Sequence, residues 1–175
     1  MMQDDLRYPI GQFEHEGEVT VEDLRLWTGQ VEAFPEQLRE VAEALSVEQL
    51  KTQYRPGGWT LSQVLHHLPD SHLNAYLRFK WALTEEFPTI KPYDEKASAE
   101  LAACRDIRVE SSLLLLDALH LKWVELIRSL SREELGKRFR HPELGPVELA
   151  WSVGHYAWHG RHHLAHITTA IEQSG

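Results

Sequence analysis

Apolar residues recur along this chain at helical spacing. Leu24, Trp27, Val31, Phe34, Leu38, Val41 and Leu45 follow one another at alternating steps of three and four, the stripe of an amphipathic helix. Thr20 stands as its N-cap, and Pro35 inside the stripe predicts a break or kink just before it. Ser46 with Gln49 reads as a capping box opening one short helical turn, after which Pro56-Gly57-Gly58 forces a turn. Thr60 with Gln63 is a second capping box. It opens a helix through Leu61, Val64, Leu65, Leu68, Tyr76, Phe79 and Leu83, which Pro69 should kink near His67.

Pro88 and Pro92 mark a long connection to a third helix, predicted over Ala97 to Leu130. Leu113, Leu116, Leu119, Trp123, Ile127 and Leu130 are its inward positions. Ser131 with Glu134 caps a further short helix, His141 to Pro146 reads as a turn-rich loop, and the last helix is predicted from Val147 to Glu172. Residues 1–19 show no periodicity and read as an irregular N-terminal arm. No strand pattern of useful length appears. Four long helices with long connections predict an all-α bundle, a single domain over residues 1–175.

Charge narrows the function classes. With 18 Lys and Arg against 27 Asp and Glu, the formal net charge is −9. Such a surface repels phosphate backbones, so no nucleic-acid partner is expected. The single cysteine, Cys104, cannot form an internal disulfide, and no apolar run is long enough to span a bilayer. Residues 1–11 are polar and lack the apolar core of a signal peptide, so a cytoplasmic protein without membrane association is expected.

Histidine changes the picture most. Of 11 histidines, His66, His67 and His72 form one group and His155, His159, His162, His163 and His166 another; His15, His120 and His141 stand apart. Two histidines at i and i+4 on a helix share one face, one turn apart, and can reach one metal ion. The last helix offers His155/His159, His159/His163 and His162/His166, and spacing alone does not choose among them. His159 belongs to two pairs. A third ligand must come from another helix, and the group beside Pro69 is the rich source. Neutral imidazoles without a thiolate suit one divalent first-row ion, Zn²⁺ or Ni²⁺ above all. Three protein ligands leave a position open for water or a thiolate, as in catalytic rather than structural sites. The competing reading is that these histidines are hydrogen-bonded core or surface residues.

The stretch from Gly58 to Lys80, containing Trp59-Thr60-Leu61-Ser62-Gln63 and His66-His67, resembles the second-helix motif of the DinB/YfiT-like family of metal-dependent hydrolases. The stretch Tyr156-Ala157-Trp158-His159-Gly160-Arg161-His162-His163-Leu164-Ala165-His166-Ile167 resembles that family's C-terminal motif, and His141-Pro142-Glu143 with Gly145 fits the loop before it. Pro69 departs from the pattern, where a small helix former such as Ala is expected. The resemblance implies a DinB-type four-helix bundle holding one metal through His67, His159 and His163. His66, His72, His155, His162 and His166 then lie outside the ligand set, some of them orienting ligands or lining the pocket. The YfiT branch is similar to bacillithiol S-transferases. This implies an enzyme that transfers a small thiol to electrophiles, or a hydrolase, with either the thiolate or a metal-activated water as nucleophile. It also implies a homodimer. The alternative is a non-catalytic metal-binding stress-response protein on the same bundle.

Other residues carry weaker signals. Asp70, one turn after His67, is placed to hydrogen-bond a histidine, and Trp158, next to His159, to edge the pocket; with His162 they are candidate pocket residues. Cys104 reads as packing rather than as a nucleophile. Arg161 and Tyr93 are candidates for an anionic substrate group, although surface roles suit them better.

Overall fold

The computed structural model describes residues 6–174, so the first five residues of the expected arm lie outside it. In chain order the elements are α1 (Val21–Glu43), α2 (Val47–Lys51), α3 (Leu61–Thr84), α4 (Glu95–Ala99), a 3-10 turn (Ala102–Arg105), α5 (Glu110–Ser129), α6 (Arg132–Leu135), β1 (Arg138–His141), β2 (Gly145–Glu148) and α7 (Leu149–Ser174). Capping boxes open α1, α2, α3 and α6, with Thr20/Asp23, Ser46/Gln49, Thr60/Gln63 and Ser131/Glu134 satisfying the first free N–H groups reciprocally.

The four long helices pack around two apolar clusters. One centres on Phe79, Trp123, Leu149 and Val153, the other on Phe34, Leu38, Leu65, Leu68, Leu116 and Ile167. At Gly154 an added Cβ would lie 2.8 Å from ring atoms of Trp27 and Phe13, and at Gly160 it would lie 3.0 Å from the ring of Phe34. Here α7 lies directly against α1, with no side chain of its own between them.

Three expectations need correction. First, the break allowed for at Pro35 does not occur: Pro35 and Pro69 sit inside α1 and α3, and both helices continue through them. An interior proline costs about 3 kcal/mol. Full burial of neighbours such as Phe34 and Leu38, or Leu65 and Leu68, offsets this at about 1.5–3 kcal/mol per side chain. Second, the predicted third helix is in fact α4, a 3-10 turn and α5. The Asp106 carboxylate accepts the Arg108 N–H at 2.9 Å, a local bond that competes with helix, and the inward stripe begins only at Leu113.

Third, the loop around His141 is the turn of an antiparallel hairpin, pairing Phe139 with Val147 and His141 with Gly145. Gly145 takes φ 75°, a left-handed conformation open to glycine. Val147 therefore belongs to β2, and the last helix starts at Leu149. The hairpin also holds the α3–α4 connection, because Ile90 donates to the Arg140 carbonyl at 3.0 Å and Arg140 donates to that of Pro88 at 2.8 Å. That connection delivers Tyr93 to the histidines.

Candidate metal centre

Helices α3 and α7 face one another with their histidines inward. His67 is 5% exposed and His163 7%, while His159 is half-buried. Ring nitrogens of His67, His159 and His163 all lie within 4.8 Å of one another, and Nε2 of His67 is 3.4 Å from Nε2 of His159. Two imidazole nitrogens bound to one tetrahedral Zn²⁺ at ~2.0–2.1 Å stand about 3.4 Å apart, so this pair already has the spacing a small divalent ion requires. Among the described residues no Cys, Asp or Glu joins the three.

Burial sets the charge state. It pushes the His67 pKa down to about 4 and holds His159 and His163 well below the ordinary imidazole value, with neighbouring histidines adding to the effect. All three are neutral near pH 7, as ligation demands.

Each of the three is backed by a further group. Tyr93 Oη is 2.9 Å from His67 Nδ1. His72 Nε2 is 3.0 Å from His159 Nδ1, His72 Nδ1 is 2.8 Å from His120 Nε2, and His120 Nδ1 meets the Val31 carbonyl at 2.6 Å. Nδ1 of His163 is 3.3 Å from Nδ1 of His166, whose Nε2 meets the Arg7 carbonyl at 3.1 Å. The Trp59 ring covers His67 at 4.8 Å and Tyr54 covers His166 at 4.0 Å. Both aromatics are set by the turn before α3, where Tyr54 N–H donates to the Trp59 carbonyl at 3.1 Å.

His162, His163 and His166 form a second group with ring nitrogens within 4.8 Å. It shares His163, and a neutral imidazole has one ring lone pair to give. Both ring nitrogens of His166 already have partners, so the group with His67 and His159 is better disposed toward an ion.

The other candidates lie elsewhere. Asp70 faces away from the three histidines, into a cavity of about 500 Å³ that it lines with His66, Cys104 and Asp106. Burial raises the pKa of both Asp70 and Cys104, which leaves the Cys104 thiol unprimed as a nucleophile. His66 is committed to the Ser112 hydroxyl at 2.7 Å and the Asp106 carbonyl at 2.8 Å. Trp158 stacks on His162 at 4.5 Å and donates from Nε1 to the Gly11 carbonyl at 3.1 Å, so it holds the N-terminal arm onto α7. Phe13 continues that contact against Trp151 and His155. Arg161 is exposed and bonds its own helix at Ala157. His72 and His166 stand among the histidines expected outside the ligand set, some of them orienting ligands, whereas the supporting position of His120 and the contact from Tyr93 to His67 were missed by sequence reasoning. The isolated His120 gave no spacing signal toward the site.

Comparison with known proteins agrees with this architecture. Residues 30–167 match the DinB superfamily. A Bacillus cereus protein named "Putative metal-dependent hydrolase" is 52% identical over 165 residues, covering 94% of this chain and 95% of its own. A relative of the same name from Bacillus mycoides is 51% identical over 169 residues, covering 97% of each chain. The solved structure of YfiT from Bacillus subtilis, described as a probable metal-dependent hydrolase with an unusual four-helix bundle topology, superposes with a TM-score of 0.95. It is 42% identical and covers 98% of both chains. The chain belongs to the DinB superfamily.

Proposed function

We propose that this protein is a metal-dependent enzyme that holds one divalent ion, Zn²⁺ or Ni²⁺, through His67, His159 and His163, and joins a low-molecular-weight thiol to a small electrophile. The observation that carries the ligand set is the 3.4 Å separation of two neutral Nε2 atoms, one on buried His67 and one on half-buried His159, with a third imidazole nitrogen within 4.8 Å. A divalent ion bound there would supply a Lewis acid that lowers the pKa of a thiol or of water at its open position. Among the described residues no fourth acid or thiolate joins the three histidines, which supports such an open position. The names of the Bacillus relatives support hydrolysis as the second reading, with water in place of the thiol.

The chain's own groups order and cover the ligand His67. The Trp59 ring shields His67 from one side, and Tyr93, whose phenol burial keeps protonated, fixes the far nitrogen of the same histidine. In the transfer reaction the thiol sulfur forms the new bond to carbon, the leaving group departs with its electron pair, and the thiol proton passes to solvent. A homodimer located in the cytoplasm is part of this proposal. Leu114 and Leu121, 56% and 70% exposed on α5, offer an apolar face for a second copy, and sedimentation of the purified chain tests it.

The functional test incubates metal-free protein, reloaded with Zn²⁺ or Ni²⁺, with a panel of small thiols and a chromogenic electrophile. An activated ester without thiol runs in parallel, with His159→Ala as control. Metal-dependent conjugation that is lost in His159→Ala is expected. Ester cleavage alone would transfer support to the hydrolase. Metal binding without turnover would establish the non-catalytic alternative, and equal activity in His159→Ala would refute the site.

A further inference from the structure

The histidines behind the candidate metal centre form two directed chains, each ending on a main-chain carbonyl. A carbonyl can only accept, so His120 Nδ1 must donate to Val31 O at 2.6 Å. His120 is 2% exposed and, among the described residues, both of its ring nitrogens meet uncharged partners, so it is neutral and its Nε2 carries a lone pair. That lone pair faces His72 Nδ1 at 2.8 Å, which must therefore donate. The fully buried His72 then has its lone pair on Nε2, facing His159 Nδ1 at 3.0 Å, so His159 donates in turn. Each bond fixes the next, and His159 is left with its lone pair on Nε2, the atom 3.4 Å from His67 Nε2. The second chain works the same way. Arg7 O can only accept from His166 Nε2 at 3.1 Å, so His166 Nδ1 accepts from His163 Nδ1 at 3.3 Å and the His163 lone pair is also on Nε2.

We propose that His72, His120 and His166 are positioning residues that lock His159 and His163 in the Nδ1–H tautomer, so that both present Nε2 lone pairs before any ligand arrives. The chains end on carbonyls and cannot pass a proton onward, so they act as locks and not as a proton path. His67 is different. Its partner, the Tyr93 hydroxyl at 2.9 Å, can donate or accept, so His67 is the ligand free to change tautomer when an ion binds. The second chain ties the N-terminal arm to the site through the Arg7 carbonyl. Ordering ligand tautomers through outer hydrogen bonds typically changes metal affinity ~10–100-fold.

This inference rests on the metal-site reading, and its test separates the two. Imidazole ¹⁵N spectra of the metal-free chain report tautomers directly, and Zn²⁺ titration in chelator competition reports affinity. Both are recorded for the wild type, His120→Leu and His120→Gln, whose amide keeps one donor and one acceptor. Wild-type His159 and His163 are expected in the Nδ1–H form. His120→Leu is expected to mix the tautomers of His159, leave His163 unchanged and weaken Zn²⁺ binding about 10–100-fold, with substantial recovery in His120→Gln. The unchanged His163 signal doubles as a check that the fold is intact. If His120→Leu does not fold, the wild-type spectra and His120→Gln decide. An Nε2–H tautomer at His159 or His163 in the wild type overturns the proposal, as does a folded His120→Leu with unaltered tautomers and affinity. Wild-type tautomers as expected but no Zn²⁺ binding would support the locks and sink the metal reading alone.

Discussion

Acidification should destabilise this fold well above the pH at which carboxylates titrate. Burial holds His67, His120 and His155 near 4, against 6.5 for a free imidazole. Above about pH 7.5 neither the folded nor the unfolded chain binds these protons appreciably, and stability is insensitive to pH. Between 6.5 and 4 the unfolded chain takes up protons that the fold excludes, so stability is lost as pH falls. At about pH 5.5 the loss is about 1.4 kcal/mol per imidazole, or about 4 kcal/mol for the three together. His72, His159 and His163 are lowered by burial as well and act in the same direction. Asp70, raised by burial, opposes them as a single group. Hydrogen bonds hold Asp23 and Glu32 below their ordinary 3.8 and 4.5, so their contributions are lost only as pH falls below those values, beneath most of the imidazole range. A domain of this size is stable by about 5–15 kcal/mol, so the predicted loss is a large fraction of the whole. Urea unfolding of metal-free protein, followed by far-ultraviolet circular dichroism at a series of pH values, measures it. The midpoint should hold steady down to about pH 7.5 and then fall, increasingly steeply, toward pH 5. A constant midpoint across that range would show that these imidazoles are not buried and neutral.

Three further outcomes follow from particular contacts. Gly160→Ala places a Cβ 3.0 Å from the Phe34 ring, which itself stacks on His72 at 5.6 Å; urea unfolding should show a loss of about 1–3 kcal/mol. Thr60→Ala removes the hydroxyl that accepts from Gln63 N–H at 3.3 Å at the start of the helix carrying His67, and the same assay should register about 1 kcal/mol. Tyr93→Phe leaves His67 Nδ1 without its partner at 2.9 Å; Zn²⁺ affinity by chelator competition should fall about 10-fold while thermal stability stays close to wild type.

Much of the fold was legible because the helices are long and their caps explicit. The stripe from Leu24 to Leu45 and the pairs Ser46/Gln49, Thr60/Gln63 and Ser131/Glu134 each carry a local physical signal, and each sits where that signal puts it. The hairpin escaped because each of its strands is four residues long and buries one side chain, Phe139 or Val147, too little to make an alternation. The break between α4 and α5 escaped because Asp106 acts on Arg108 through a side-chain bond that no periodicity reports. At the site, spacing placed pairs of histidines on one face of the last helix but could not rank them. The ranking is tertiary. His120 stands alone in sequence, yet it meets His72 across α3 and α5 and reaches the Val31 carbonyl on α1. Tyr93 reaches His67 only because the hairpin holds residues 88–90, and Asp70 turns toward His66 and Cys104 because of where it falls on α3.

X-ray absorption spectroscopy of the chain loaded with one equivalent of Zn²⁺, recorded beside His67→Ala and His166→Ala, tests the three-histidine site most directly. A first shell with three imidazole nitrogens at ~2.0–2.1 Å and one further light atom is expected, disrupted in His67→Ala and retained in His166→Ala. A shell closed by four protein ligands, or one lost in His166→Ala and untouched in His67→Ala, would contradict an open site built on His67, His159 and His163.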